Sequence, residues 1–338
     1  MVGVDVFFVL SGFLITGMLV RERETSGSIS LLSFYARRAR RLLPSAIIVL
    51  TACAVATALF VPRELKAEFD REIVASVLYA QNWVLGILAD PAAVDTPMTH
   101  FWSLSVEEQF YLLWPVLVIA AAWAARRAGV GIRPVVAVVL SAVVVASFSY
   151  SVWLTGDDIR LAYFSTVGRA WEFGVGGLLA LAPAVAPRIP AAVRGALSWA
   201  GVAAIAGTML APFDHRAFPG WIALLPVAGT LAVIAAGSAQ PRWGTVFFAN
   251  RAPVQWVGGI SYSLYLWHWP LIAFAPFVTG VPSQWWFMVL LLALAVALAW
   301  ATTRFVEARF RAPSASLPPL VPALFRTSRG ESAGMLRE

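Results

Sequence analysis

The chain has 338 residues, of which 60% are hydrophobic and 13% charged, and its mean hydropathy is +0.77. That balance is far from a soluble domain's and marks an integral membrane protein. The net charge of +7 does not point to nucleic acid, because the basic residues fall between apolar runs and form no single soluble patch.

Nine apolar segments approach the roughly 20 residues that a bilayer crossing needs. They lie at about 4–20, 45–61, 110–125, 135–154, 164–182, 197–211, 221–238, 260–278 and 285–303, the seventh interrupted by Pro226. They predict an all-α polytopic membrane protein of nine transmembrane helices. The first opens with Gly3-Val4-Asp5-Val6-Phe7-Phe8 and continues to Ser11-Gly12-Phe13. A carboxylate at its outer end, Asp5, suits binding a substrate hydroxyl or orienting a base; a helix-starting Asp is the plainer reading. Ser11-Gly12 reads as a small-residue packing contact, and without a G-x-S-x-G elbow it does not suggest a serine hydrolase.

Arg37-Arg38-Ala39-Arg40-Arg41-Leu42-Leu43-Pro44 follows as a dense basic run. Arginine forks suit phosphate, as on an acyl-CoA or an anionic lipid, and positive-inside anchoring explains the run equally well. The lone cysteine, Cys53, sits in an apolar run; it excludes an intramolecular disulfide and reads as packing. From Pro62 to Trp102 runs a long external segment carrying Glu64, Glu68, Asp70, Glu72, Asp90 and Asp95. It reads as a solvated loop with one short amphipathic helix near Arg71 to Trp83, or as a lid over a substrate vestibule.

His100-Phe101-Trp102-Ser103-Leu104-Ser105-Val106-Glu107-Glu108-Gln109-Phe110-Tyr111 sets two adjacent carboxylates and a histidine at a membrane edge, where charge is costly without a task or a partner. Ser105 and Glu108 have capping-box spacing, which predicts a helix start there and explains Glu108. Glu107 shares a face with Tyr111 and Trp114 and keeps a functional reading beside a merely dipolar one. Arg169 and Glu172, three residues apart, either neutralise each other or line a polar cavity, and the glycines after them allow a close helix approach. Ser261-Tyr262-Ser263-Leu264-Tyr265-Leu266-Trp267-His268-Trp269-Pro270 places a histidine among aromatics, which fits a satisfied core histidine or a carbohydrate-stacking cavity.

Charge sets the orientation. With Arg21–Arg41 read as a cytoplasmic loop, nineteen of the 25 basic residues fall inside, and only Arg63, Lys66, Arg71, Arg160, Arg169 and Arg216 fall outside or on its rim. The first span then runs inward from an external Met1 with no charged n-region before it, which fits a reverse signal-anchor or an upstream helix. Three histidines, His100, His215 and His268, form no H-x-x-x-H pair, so no zinc site is expected. No P-loop occurs, and with Lys66 the only lysine, Schiff-base chemistry is not expected.

Five blocks taken together resemble the acyltransferase 3 family of integral membrane acyltransferases. They are G-V-D-V-F-F-V-L-S-G-F-L-I-T at 3–16, R-R-A-R-R-L-L-P at 37–44, F-W-S-L-S-V-E-E-Q-F-Y-L-L-W-P at 101–115, R-A-W-E-F-G-V-G-G-L-L-A at 169–180 and S-Y-S-L-Y-L-W-H-W-P at 261–270. The resemblance implies transfer of an acyl group, often acetyl, to a hydroxyl of a sugar or envelope glycoconjugate such as lipopolysaccharide or peptidoglycan. It implies acyl-CoA as co-substrate with no bound cofactor, a carbohydrate acceptor, and a place in the bacterial inner membrane. It assigns Arg37, Arg38, Arg40 and Arg41 to the donor and Asp5, Glu107 and Glu108 to the chemistry. His268 joins them as a catalytic candidate, and Trp102, Arg169, Glu172, Tyr265 and Trp267 as the substrate cavity.

Family members usually begin with one more helix, bearing an arginine and a histidine proposed as base; neither is in this chain. Residues 1–311 are therefore expected to form an N-terminally incomplete acyltransferase domain and 312–338 a disordered cytoplasmic tail. Arg304 to Arg311 resembles the point where some members continue toward an external SGNH-type esterase domain. Two other classes remain: a glycolipid or donor transporter using the same charges without chemistry, and a fragment inactive without a partner helix. An internal repeat would favour the transporter, and none is seen.

Overall fold

A computed structural model of the protein describes residues 2–88, 96–182, 189–210, 218–237, 240–280 and 284–310. Asp90, Asp95, His215 and the expected tail at 312–338 lie outside these residues. Regular structure among the described residues is helical: α1 (Val2–Ser26), α2 (Leu31–Phe60), α3 (Arg63–Val77), α4 (Gln81–Trp83), α5 (Phe101–Ala128), α6 (Ile132–Asp157) and α7 (Ile159–Phe164), then α8 (Thr166–Leu181), α9 (Ala191–Leu210), α10 (Leu224–Ala236), α11 (Thr245–Ala249), α12 (Ala252–Thr279) and α13 (Trp285–Thr302). Two π-turns, Val84–Leu88 and Thr303–Glu307, extend α4 and α13.

Each of the nine predicted apolar segments falls on a helix. Among the described residues six helices are long and apolar enough to cross a bilayer: Val2–Ser26, Leu31–Phe60, Phe101–Ala128, Ile132–Asp157, Ala191–Leu210 and Trp285–Phe310. Their outer faces carry bare side chains such as Leu112, Val138, Val145 and Leu290, 58–70% exposed, as helices bathed in hydrocarbon do. Shorter Trp221–Ala236 is apolar as well.

Helix α8 packs between α1 and α6. The approach is close because it is lined by glycine. A Cβ built on Gly12 would lie 2.1 Å from the Phe173 carbonyl oxygen, and one on Gly176 would lie 2.1 Å from that of Val9. Around this contact Phe8, Phe110, Trp114 and Phe173 form a buried aromatic core, with the Phe110 and Phe173 ring centroids 4.0 Å apart.

Three expectations are corrected. The basic run at 37–44 is not a loop: α2 begins at Leu31, where the Ser30 hydroxyl accepts from the Ser33 amide, and continues through Pro44. No residue between Ser30 and Pro44 breaks a helix. Ser105 and Glu108 do not form a capping box, because α5 already begins at Phe101. Ser105 sits in the second turn, donating to the Phe101 carbonyl and accepting from the Gln81 amide. The helix expected near Arg71 to Trp83 is present but starts earlier, at Arg63, and residues 63–88 are packed against the bundle where the sequence predicts a solvated loop. Helix α3 packs back along α2 and buries Phe69, Glu72, Ile73 and Ser76, and α4 packs on α5 with Gln81 and Asn82 fully buried.

Candidate functional site

Helices α1, α2, α5 and α12 line a partly open cavity of about 550 Å³. Its α5 wall is Ser103, Glu107 and Tyr111, which the helical repeat stacks on one face at four-residue spacing. Its α1 wall runs from Gly3 past Phe7 to Ser11 and Ile15, and Tyr262 and Tyr265 close it from α12.

Glu107 is the hub. Its Oε1 accepts from the Ser11 hydroxyl at 3.0 Å and from Arg38 Nη2 at 3.4 Å. The Ser11 hydroxyl lies 2.9 Å from the Tyr111 hydroxyl, and the Arg38 guanidinium stacks 3.3 Å above the Tyr111 ring centroid. The Glu107 side chain is 3% exposed and that of Arg38 17%. A buried carboxylate with a fixed counter-ion and a hydroxyl neighbour, facing a cavity, has the parts a general base needs. Ser11 is a residue that a packing reading misses; Gly12 beside it does serve the packing contact.

The four arginines of α2 divide by face. Arg38 and Arg41, one turn apart, line the cavity. Arg37 pairs with Glu22 at 3.5 Å on a half-exposed surface, and the Arg40 Nε donates to the Ala36 carbonyl in its own helix. Glu108 faces away from Glu107, into a second cavity of about 330 Å³ that shares Arg38, Leu42 and Tyr111 with the first.

Asp5, Arg169 and Glu172 meet in a separate, fully buried triad. Arg169 Nη1 donates to Asp5 Oδ1 at 2.7 Å and to Glu172 Oε1 at 2.8 Å, and all three are at most 1% exposed. The rings of Tyr163 and Phe218 flank the guanidinium at 5.4 Å. The pairing of Arg169 with Glu172 thus recruits a partner 164 residues away. None of the three lines the 550 Å³ cavity.

At the end of the cavity nearest the start of α5, Tyr265 lines the wall and holds its hydroxyl 2.5 Å from Ser103 Oγ and 2.6 Å from the His100 carbonyl. His268, three residues on and on the same side of α12, does not line the cavity; its ring lies 5.5 Å from that of Tyr265 and 5.6 Å from that of His100, and its Nδ1 is 2.7 Å from the Tyr265 carbonyl. Burial pushes the His100 imidazole down to about 3, so it stays neutral and accepts a proton poorly. Trp102 packs on Tyr163 and Phe164, and the Trp267 indole donates to Thr302 Oγ1 at 3.0 Å. Both serve helix packing and do not line this cavity.

Two polar clusters have no counterpart in the sequence reading. Glu72 accepts from Gln81 Nε2 at 2.6 Å and from the Thr96 hydroxyl, tying α3 to the start of α5. Glu307, in the π-turn after α13, accepts from Ser263 at 2.5 Å and Ser45 at 3.2 Å and so joins α12 to α2 behind the cavity. Among the described residues no three His, Cys, Asp or Glu side chains converge as metal ligands would.

Residues 1–304 match a family model described as an acyltransferase domain, that of the acyltransferase 3 family. The chain is 29% identical over 332 residues to the peptidoglycan O-acetyltransferase OatA of Listeria monocytogenes, covering 92% of this chain and 51% of that protein. It is 28% identical to the putative peptidoglycan O-acetyltransferase YrhL of Bacillus subtilis, covering 92% and 50%. With the O-acetyltransferase OatA of Staphylococcus aureus it shares 31% identity over 91% of this chain and 52% of the relative. The chain thus spans about half the length of these curated relatives. No solved structure matches.

Proposed function

The chain belongs to the acyltransferase 3 family, and from that premise we propose that it transfers an acyl group from a cytoplasmic acyl-CoA to a hydroxyl of a cell-envelope carbohydrate. The acceptor class is a peptidoglycan sugar, by likeness to relatives named for that substrate, and the setting is the bacterial plasma membrane. The observation that carries the reading is Glu107, held by Ser11 and Arg38 and facing a cavity large enough for reacting groups.

In this reading Arg41, lining the cavity from the cytoplasmic third of α2, meets the phosphates of the donor, for which an arginine fork is suited. Glu107 takes the proton of the acceptor hydroxyl as its oxygen attacks the thioester carbonyl. A carbon–oxygen bond forms, the carbon–sulfur bond breaks, and the departing thiolate recovers the proton from Glu107. Arg38 sits where it can neutralise the carbonyl oxygen as negative charge develops. Asp5, Arg169 and Glu172 fix α1 against α8 and so hold Ser11 in place.

A second reading has an observation of its own. Phe7, Leu10 and Leu14 line the cavity yet are 38–47% exposed on α1. A further apolar helix laid there would close the cavity, and the family's histidine-bearing helix fits that description. The chain in proteoliposomes, supplied with acetyl-CoA and a peptidoglycan oligosaccharide, tests both. Base-labile acetyl ester on the sugar supports acyl transfer by this chain. Ester formed only when a first helix is co-expressed supports the second reading, and acetyl-CoA uptake without ester contradicts both.

A further inference from the structure

The Arg38 guanidinium stands between two cavities. The second is bounded by α2, α5 and the end of α3, with Arg38, Glu108 and Gln109 among its lining and Leu43, Leu78 and Leu112 at its margin. Those leucines are 39%, 70% and 60% exposed, so this cavity opens toward the hydrocarbon of the bilayer. Glu107 and Glu108 are consecutive and therefore about 100° apart around α5; one faces the first cavity and the other the second. Arg38 lines both cavities and so lies between the two carboxylates. Its hold on Glu107 is a single 3.4 Å contact, and its Nε has no hydrogen-bond partner. A guanidinium that turns from Glu107 toward Glu108 exchanges one carboxylate neighbour for another and vacates the space over the Tyr111 ring, which both cavities share.

We propose that the second cavity receives the hydrocarbon chain of an acyl donor longer than acetyl, admitted when Arg38 turns from Glu107 to Glu108. The inference rests on the acyl-transfer reading and names its substrate class. The polar groups sit at the Arg38 end, and Ala39, Leu42, Leu43, Leu78 and Leu112 make most of the remaining lining apolar, so each methylene buried against it strengthens binding by about fourfold. The position is the right one: the cavity begins at the residue that pairs with Glu107, where the thioester carbonyl has to lie, and leads away from the α1 and α12 walls. With Arg38 on Glu107 the first cavity takes an acetyl group; with Arg38 on Glu108 the two cavities join.

The test uses the full chain in nanodiscs and an octanoyl-CoA bearing a diazirine at the end of its chain. The photolabel is expected on peptides containing Leu43, Leu78 or Leu112, competed by plain octanoyl-CoA. Ala39 lines only the second cavity of the two, so Ala39→Phe fills it and is expected to cut that labelling at least tenfold while acetyl-CoA turnover stays within twofold. Label on Phe7, Leu10 or Leu14 overturns the proposal, as does label that octanoyl-CoA does not compete or that Ala39→Phe leaves unchanged. If the label lands as expected but no acyl-CoA of any length yields ester, the pocket stands and the acyl-transfer reading falls.

Discussion

The Ser11 hydroxyl donates to Glu107 Oε1 at 3.0 Å across the α1–α5 interface, and with Tyr111 at 2.9 Å it fixes which way the carboxylate points. If that bond orients a base, Ser11→Ala is expected to lower kcat about tenfold with little change in KM. The estimate reflects one lost hydrogen bond to a charged group, about 1.5 kcal/mol. Ser11→Thr, which keeps the hydroxyl, should recover part of the loss. Equal losses in both variants would point to packing.

The two adjacent glutamates should behave differently. Glu107 faces the cavity with Arg41, and Glu108 faces the second one. Glu108→Gln is expected to retain acetyl transfer within about fivefold, whereas loss of a general base costs about 10²-fold or more. Steady-state rates with acetyl-CoA separate the two, and equal losses would remove the distinction.

The arginine run should divide the same way. Arg37 pairs with Glu22 at a partly exposed surface, where such pairs contribute at most about 1 kcal/mol. Arg37→Ala should leave donor KM almost unchanged, while Arg38→Ala and Arg41→Ala raise it or abolish turnover. Titrating acetyl-CoA against each variant gives the answer.

Arg169 carries two buried carboxyl groups from two helices. Removing one partner of a buried ion pair costs about 3–5 kcal/mol, so Arg169→Ala should unfold well below the wild type in detergent. Asp5→Asn, which keeps a hydrogen-bond acceptor, should lose much less. A melting temperature for Arg169→Ala close to wild type would show that the triad does not hold α1 to α8.

Glu72 gives a pH dependence. Burial pushes its carboxyl above the ordinary value, while the hydrogen bonds from Thr96 and Gln81 work the other way. A raised folded value means that its contribution is complete below the unfolded carboxylate range, and is lost as pH rises through the folded value. Melting temperature should therefore fall over the pH range above the ordinary carboxylate pKa by more in wild type than in Glu72→Gln. Parallel profiles would assign the titration elsewhere.

Segment type is legible in this sequence because a span must be long, apolar and helical, and composition reports all three. Position around a helix is harder to read. Arg38 and Arg41 share a face by simple helical spacing, but that spacing carries no information while the run is taken as a loop. Ser105 and Glu108 satisfy a capping-box pattern that three-dimensional context overrides: α5 starts a turn earlier, and Ser105 serves Gln81. The union of Asp5 with Arg169, separated by 164 positions, needs the α1–α8 packing that Gly12 and Gly176 permit. Glu72 looks like one of several solvated acids because only the fold reveals that α3 turns back along α2.

The central claim is that Glu107 moves the proton in an acyl transfer. It is tested most directly by following coenzyme A thiol release and acetyl ester formation together, in proteoliposomes of wild type and Glu107→Gln. The expected result is one thiol released per ester formed in wild type and a loss of about 10²-fold or more in both for Glu107→Gln, with the variant's melting temperature preserved. A Glu107→Gln protein that forms ester at a rate within twofold of wild type would contradict it.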